Sequence, residues 1–138
     1  MTYVFRNTKP QDYEALLTST TEGGKVDPET IRDSVEIKTL ECDGEPIMII
    51  GRTEYPTGDI IMATGVWGIF STDIDKHTKK VVQTCKDLLF DRIGFRFLVL
   101  IDETNPKFER FAEFFGFKRT NFVEEKQGTV YHLYIKET

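Results

Sequence analysis

Asn105-Pro106-Lys107-Phe108-Glu109-Arg110-Phe111-Ala112-Glu113-Phe114-Phe115-Gly116-Phe117 holds a helix start, a buried face and a helix stop, and the rest of the chain can be ordered from it. An Asn at the N-cap accepts from an amide of the first turn, and Pro at the first helical position gives up an N–H that would have been unpaired anyway. Phe108, Phe111 and Phe115 fall at i, i+3 and i+7 and make one apolar stripe; Gly116 suits the left-handed position that ends helices. Just before this helix, Phe95-Arg96-Phe97-Leu98-Val99-Leu100-Ile101 is almost continuously apolar, the pattern of a central strand covered on both faces. Just after it, residues 117–123 and 129–136 read as two strands joined by Glu124-Glu125-Lys126-Gln127-Gly128.

Upstream of the central strand, Ile74, Val81, Cys85, Leu88 and Leu89 mark one face of a long helix that starts at Thr72 or Asp73, runs to about Arg92 and is stopped by Gly94. Residues 60–70 precede it as a strand with glycines at 65 and 68, read either as a bulge that opens the sheet or as edge relief. Residues 35–42 alternate, Asp43-Gly44 is a hairpin turn, residues 46–55 are the partner strand, and Pro56-Thr57-Gly58-Asp59 turns again. Nearer the N-terminus, Asp27-Pro28-Glu29 caps a short helix to about Ser34, and Pro10 opens a helix that Gly23-Gly24 ends, after a strand at residues 3–6. The expected order is β-α-α-β-β-β-α-β-α-β-β: an α/β (α+β) fold with a mixed sheet of seven strands and four helices. Residues 1–138 are expected to form one domain.

Hydrophobic residues make up 39% of the chain, and its eleven phenylalanines suffice for a core. A formal net charge of -5 gives no basic footprint for a phosphate backbone, so no nucleic-acid partner is expected. No apolar run approaches the length of a membrane span or a signal peptide, and Cys42 and Cys85 form no disulfide framework. A cytoplasmic location follows as an expectation.

The order of elements resembles the GNAT superfamily of acetyl-CoA-dependent N-acetyltransferases, and residues 105–117 are similar to that family's run of Asn, a helix, then Gly-Phe opening the next strand. The resemblance implies an acyl-CoA N-acyltransferase fold. In that family two central strands splay apart and the pantetheine arm of coenzyme A lies in the opening, bonded to strand backbone. The matching strands here are residues 60–70 and 96–101. The implied cofactor is acetyl-CoA, with Ile69, Ser71, Lys76 and Asn105 as the residues to hold it.

The chain departs from the family at two points. The family's pyrophosphate rests on a glycine-bearing loop before the long helix, where glycines allow close approach and a helix N-terminus attracts negative charge. Here Phe70-Ser71-Thr72-Asp73-Ile74-Asp75-Lys76-His77-Thr78-Lys79-Lys80 contains no glycine, and Thr72 and Asp75 have the spacing of a capping box that would close the amides. Lys76, His77, Lys79 and Lys80 either replace the lost backbone contacts or form a solvated face balanced by Asp73 and Asp75. The family's proton-donating tyrosine aligns with Ala112, which cannot donate, and residues 60–70 hold no Glu, Asp or His as a base. No catalytic residue is assigned.

A narrower likeness is to the GNAT-like internal virion proteins of short-tailed bacteriophages. It rests on Trp67 and Ser71 before the long helix and on Val99 through Asn105 and Gly116 after it. It implies a scaffold that acts by binding virion or host proteins during assembly or infection, in the host cytoplasm or the virion. That is the expected function; the alternative is an acetyl-CoA-dependent N-acetyltransferase acting on a protein or small-molecule amine. Phe114, outside the buried stripe, and Trp67 are the candidate contact residues. Cys85 with His77 could pair as nucleophile and base, but Cys85 lies in an apolar stripe and reads as core. His132 lacks a second ligand, and no metal is expected.

Overall fold

A computed structural model describes residues 1–19, 28–56, 62–87 and 95–137. The elements are β1 (Tyr3–Asn7), α1 (Pro10–Ser19), α2 (Pro28–Arg32), β2 (Glu36–Cys42), β3 (Glu45–Pro56), β4 (Met62–Phe70), a 3-10 turn (Ile74–His77) running into α3 (Thr78–Cys85), β5 (Phe95–Asp102), α4 (Pro106–Phe114), β6 (Lys118–Lys126) and β7 (Thr129–Glu137). This is the order expected from the sequence. The seven strands lie as β1-β2-β3-β4-β5-β7-β6. Strands β4 and β5 run parallel, while β1–β2, β2–β3, β5–β7 and β6–β7 run antiparallel, so the sheet is mixed. The expected stops and turns at Gly23-Gly24, Asp27, Thr57-Gly58-Asp59 and Gly94, strand residues 60 and 61, and Leu88 and Leu89 of the long helix, lie outside the described residues.

The chain forms two compact units, Met1–Thr53 with Trp67–Arg92, and Glu54–Val66 with Ile93–Thr138. In the first, Asp43 and Gly44 take positive φ angles of 49° and 85°, the pair a two-residue hairpin between β2 and β3 requires. Leu16, Ile49 and Ile69 are buried together, with Tyr13, Ile37 and Trp67 packed against them. Gly51 is required here, because a Cβ on it would occupy the space of the Trp67 indole. That indole donates to Ser34 Oγ at 2.8 Å, and Ser34 donates to the Thr30 carbonyl at 2.7 Å. Within this unit Trp67 is an anchor between β4 and the end of α2. Ile74, Val81 and Cys85 are buried, as their spacing predicts.

Polar anchoring in this unit centres on Asp12, which is 3% exposed. Arg6 grips both of its oxygens at 2.8 Å, Thr39 Oγ1 donates at 3.0 Å and the Lys9 amide at 2.8 Å. The Arg6 guanidinium holds the carboxyl down to about 2, and the aspartate and Glu41 raise the guanidinium in turn.

In the second unit, Phe97 and Tyr134 are the largest fully buried side chains. The φ of Gly116 is 90°. Its amide donates to the Glu113 carbonyl at 3.0 Å and the Phe117 amide to the Ala112 carbonyl at 3.0 Å, the two bonds of a Schellman stop. Phe115 and Phe117 are buried on either side of it, each contributing about 1.5–3 kcal/mol.

Candidate functional site

The two parallel strands pair from Met62↔Phe95 to Gly65↔Leu98. Beyond that rung β4 and β5 no longer pair, although β5 continues along β7 as far as Asp102↔Tyr131. Of the glycine pair in β4, Gly65 thus stands at the last rung. Gly68 has a different role: a Cβ on it would lie 2.7 Å from the Phe70 ring, which covers the strand there.

Thr64, one rung before the end of the ladder and opposite Phe97, was not singled out from the sequence. It is fully buried, and its Oγ1 is the one buried side-chain polar atom among the described residues that has no hydrogen-bond partner. A threonine amid apolar strand residues was the only signal available.

Ile69, Ser71 and Lys76 follow in the first unit. Ile69 is a core residue, 2% exposed. The Ser71 amide donates to the Ile47 carbonyl at 2.9 Å, which fixes the exit from β4. From there the backbone turns on itself. Ser71 Oγ accepts from the Asp73 amide at 3.2 Å, the Ser71 carbonyl from Ile74 at 3.1 Å, and the Asp73 carbonyl from Lys76 at 2.9 Å.

Two expectations are corrected at this turn. The long helix does not begin as an α-helix at Thr72 or Asp73; a 3-10 turn intervenes and α3 begins at Thr78. The N-cap of the turn is Asp73 rather than Thr72, and neither it nor His77, the N-cap of α3, forms a side-chain cap bond. The capping box expected of Thr72 and Asp75 is thus not the device that closes the turn. The closure comes from Ser71 and the tight 3-10 pattern, in which carbonyls three residues back take the amides.

The basic run is divided among several tasks. Lys76 extends into solvent 3.8 Å from Asp73. His77 Nδ1 lies 2.8 Å from the Tyr3 hydroxyl, their rings are edge to face, and the Lys80 ammonium sits 5.8 Å from the Tyr3 ring centre. The Tyr3–His77 contact spans 74 positions, so nothing local in the sequence could have indicated it.

Asn105 lies in the second unit, and its Oδ1 accepts from the Phe108 amide at 3.3 Å, the cap that was expected. Ala112 is buried on α4. Tyr134, on β7 opposite Val99, has its phenol pushed up by burial and then by the adjacent Glu109 carboxylate, so it retains its proton. Cys85 is core, and burial pushes its thiol up to about 12, the opposite of what a nucleophile needs. His132 sits between Glu103 Oε2 at 3.2 Å and Arg119 Nη2 at 3.0 Å. Among the described residues no three His, Cys, Asp or Glu side chains group as a metal site would require, and no helix is long and apolar enough to cross a membrane.

No family model and no curated protein sequence matches the chain. Solved structures do. A putative phosphinothricin N-acetyltransferase superposes with a TM-score of 0.66 at 16% identity, over 99% of this chain and 98% of its own. The chain has the GNAT fold. Naa50 of Arabidopsis thaliana, solved with a bisubstrate analogue, CoA-Ac-MVNAL, gives 0.65 at 11% identity over the whole of both chains. A GNAT acetyltransferase of Elizabethkingia anophelis, solved with acetyl-CoA bound, gives 0.59 at 14% over 99% of this chain and 98% of its own. The GNAT resemblance seen in residues 105–117 is thus matched in three dimensions, while the likeness to phage virion proteins draws nothing from these structures.

Proposed function

We propose that the protein is an acetyl-CoA-dependent N-acetyltransferase acting on the amine of a protein or small molecule. The observation that carries this reading is the end of the parallel β4–β5 ladder at Gly65↔Leu98, in a fold whose solved counterparts include one with acetyl-CoA bound. The orphaned Thr64 hydroxyl next to that rung fits the acyl end of such a molecule. Bound acetyl-CoA supplies an activated acetyl thioester. The chain's own part is to bind and orient: backbone at the last rung takes the arm, and Ser71 keeps the exit of β4 in place. The turn amides are occupied by Ser71 and Asp73 oxygens, so Lys76 rather than the backbone serves the phosphates on this reading. Asn105 acts by starting α4. With Ala112 where the family has tyrosine, the departing thiolate takes its proton from water, and turnover is expected to be slow.

The test is a thermal-shift titration of the full chain with acetyl-CoA and CoA. At about a hundredfold the dissociation constant the ligand should stabilise the fold by about 2.7 kcal/mol; a flat curve with both overturns the proposal. A second reading, a GNAT scaffold that binds a partner protein, is favoured by Phe114, which is 66% exposed beside the buried Phe115. On that reading Phe114→Ala abolishes partner binding without lowering Tm, and acetyl-CoA gives no shift.

A further inference from the structure

Three other buried polar side chains among the described residues, Asp12, Thr39 and Thr84, stand in contrast to Thr64. Asp12 has four hydrogen-bond donors around it. Thr39 is paired with Asp12 and with Thr8 at 2.7 Å. Thr84 donates to the Lys80 carbonyl at 2.8 Å. Thr64 is equally buried, at 0% exposure, and its hydroxyl has no partner. A buried hydroxyl without a partner costs folding free energy, and valine would fill nearly the same space in a strand without that cost. An unsatisfied polar atom of this kind calls for an explanation in terms of a missing partner.

Its position suggests the partner. Thr64 is opposite Phe97 on the rung before the last, and the ladder ends at Gly65↔Leu98. Thr64, Gly65, Phe97 and Leu98 all belong to one compact unit. A buried hydroxyl is worth most to a ligand that brings a carbonyl acceptor and little charge, since an ion taken out of water without a counter-charge is strongly penalised. The acyl-pantetheine arm of an acyl-CoA has that chemistry, with neutral amide and thioester carbonyls along an otherwise apolar chain.

We infer that Thr64 is a ligand-binding residue whose Oγ1–H donates a hydrogen bond to a carbonyl oxygen of the acyl-pantetheine arm. The inference rests on the transferase reading and adds to it a specific donor that neither the sequence motif nor the fold assigns. Folding leaves the hydroxyl unpaired, and binding of the ligand pairs it. Stability and affinity therefore respond to its removal in opposite directions.

The experiment compares the full-length protein with Thr64→Val, Thr64→Ala and Thr64→Ser, measuring Tm without ligand and the Kd for acetyl-CoA and CoA by calorimetry. Thr64→Val should melt at or above the wild-type Tm and bind acetyl-CoA about tenfold more weakly, while Thr64→Ser stays within about threefold of wild type. Should Thr64→Val fail to fold, Thr64→Ala against Thr64→Ser isolates the hydroxyl in the same way. Wild-type affinity in the variants lacking the hydroxyl overturns this inference and leaves the transferase reading intact. Absence of acetyl-CoA binding by the wild type overturns both.

Discussion

Helices α3 and α4 both follow a central strand, yet they begin in opposite ways. At the start of α4 a side chain does the work: Asn105 accepts from Phe108, and Pro106 takes the first helical position. At the start of α3 no side chain caps the helix, and the chain arrives through a 3-10 turn whose amides bond to Ser71 and Asp73. Helix α1 resembles α4, since Asp12 reaches back to the Lys9 amide at 2.8 Å as a third-position acid does. A capped start is fixed by the identity of one residue. A start wound from backbone has no such residue, so substitutions there should be better tolerated.

The largest expected effect is at the most strongly anchored start. The Asp12 carboxyl is held down to about 2 by Arg6, below its ordinary value near 4. Because the folded-state value is the lower one, its stabilisation is complete above about pH 4 and is lost as pH falls through about 2, a contribution on the order of 2 kcal/mol. Asp12→Asn should therefore be less stable than wild type at pH 7 by about that amount, with the gap narrowing in acid. Denaturant unfolding of both proteins across pH measures it, and a gap that does not change with pH would show that the Arg6 pair contributes nothing.

Next is the other end of α4. Gly116→Ala puts a Cβ on a residue at φ 90° and should cost about 1–2 kcal/mol, seen as a lower denaturation midpoint at unchanged slope. The nearest atom a Cβ would meet is Lys136 Nζ at 3.9 Å, so the loss would be one of backbone strain and not of crowding.

The same contrast explains what could be read in the sequence. Residues 105–117 were legible because cap, stripe and stop are all local, and each one forms in the structure. The Asp43-Gly44 hairpin was legible for the same reason. The start of α3 was not: Thr72 and Asp75 have capping spacing, but the backbone bond from Ser71 to Ile47, set by β3, fixes where β4 ends and makes Asp73 the first capping position. The site was legible only in its outline. Ile69, Ser71, Lys76 and Asn105 were found by resemblance, and the structure uses Ile69 and Asn105 for packing and capping. Thr64 could not be recognised from its neighbours in sequence, because the absence of a hydrogen bond is a property of the folded surroundings. The packing of Trp67 was out of reach for the same reason, its partners Ser34 and Gly51 being far away in the chain.

The smallest effect, and the one that tests the comparison most directly, is the difference between Asn105→Ala and Ser71→Ala. Each removes a side-chain oxygen that accepts one amide near a helix start, at 3.3 Å in one case and 3.2 Å in the other. Asn105 caps α4 through its side chain, so its loss should cost about 1 kcal/mol. The Ser71 backbone remains in Ser71→Ala, and with it the bonds to Ile47 and Ile74, while the Asp73 amide is exposed and turns to water. Its cost should stay within about 0.5 kcal/mol. Equal losses in the two variants would mean that the 3-10 turn depends on its serine as α4 depends on its asparagine, and the distinction between a capped and a wound start would fail.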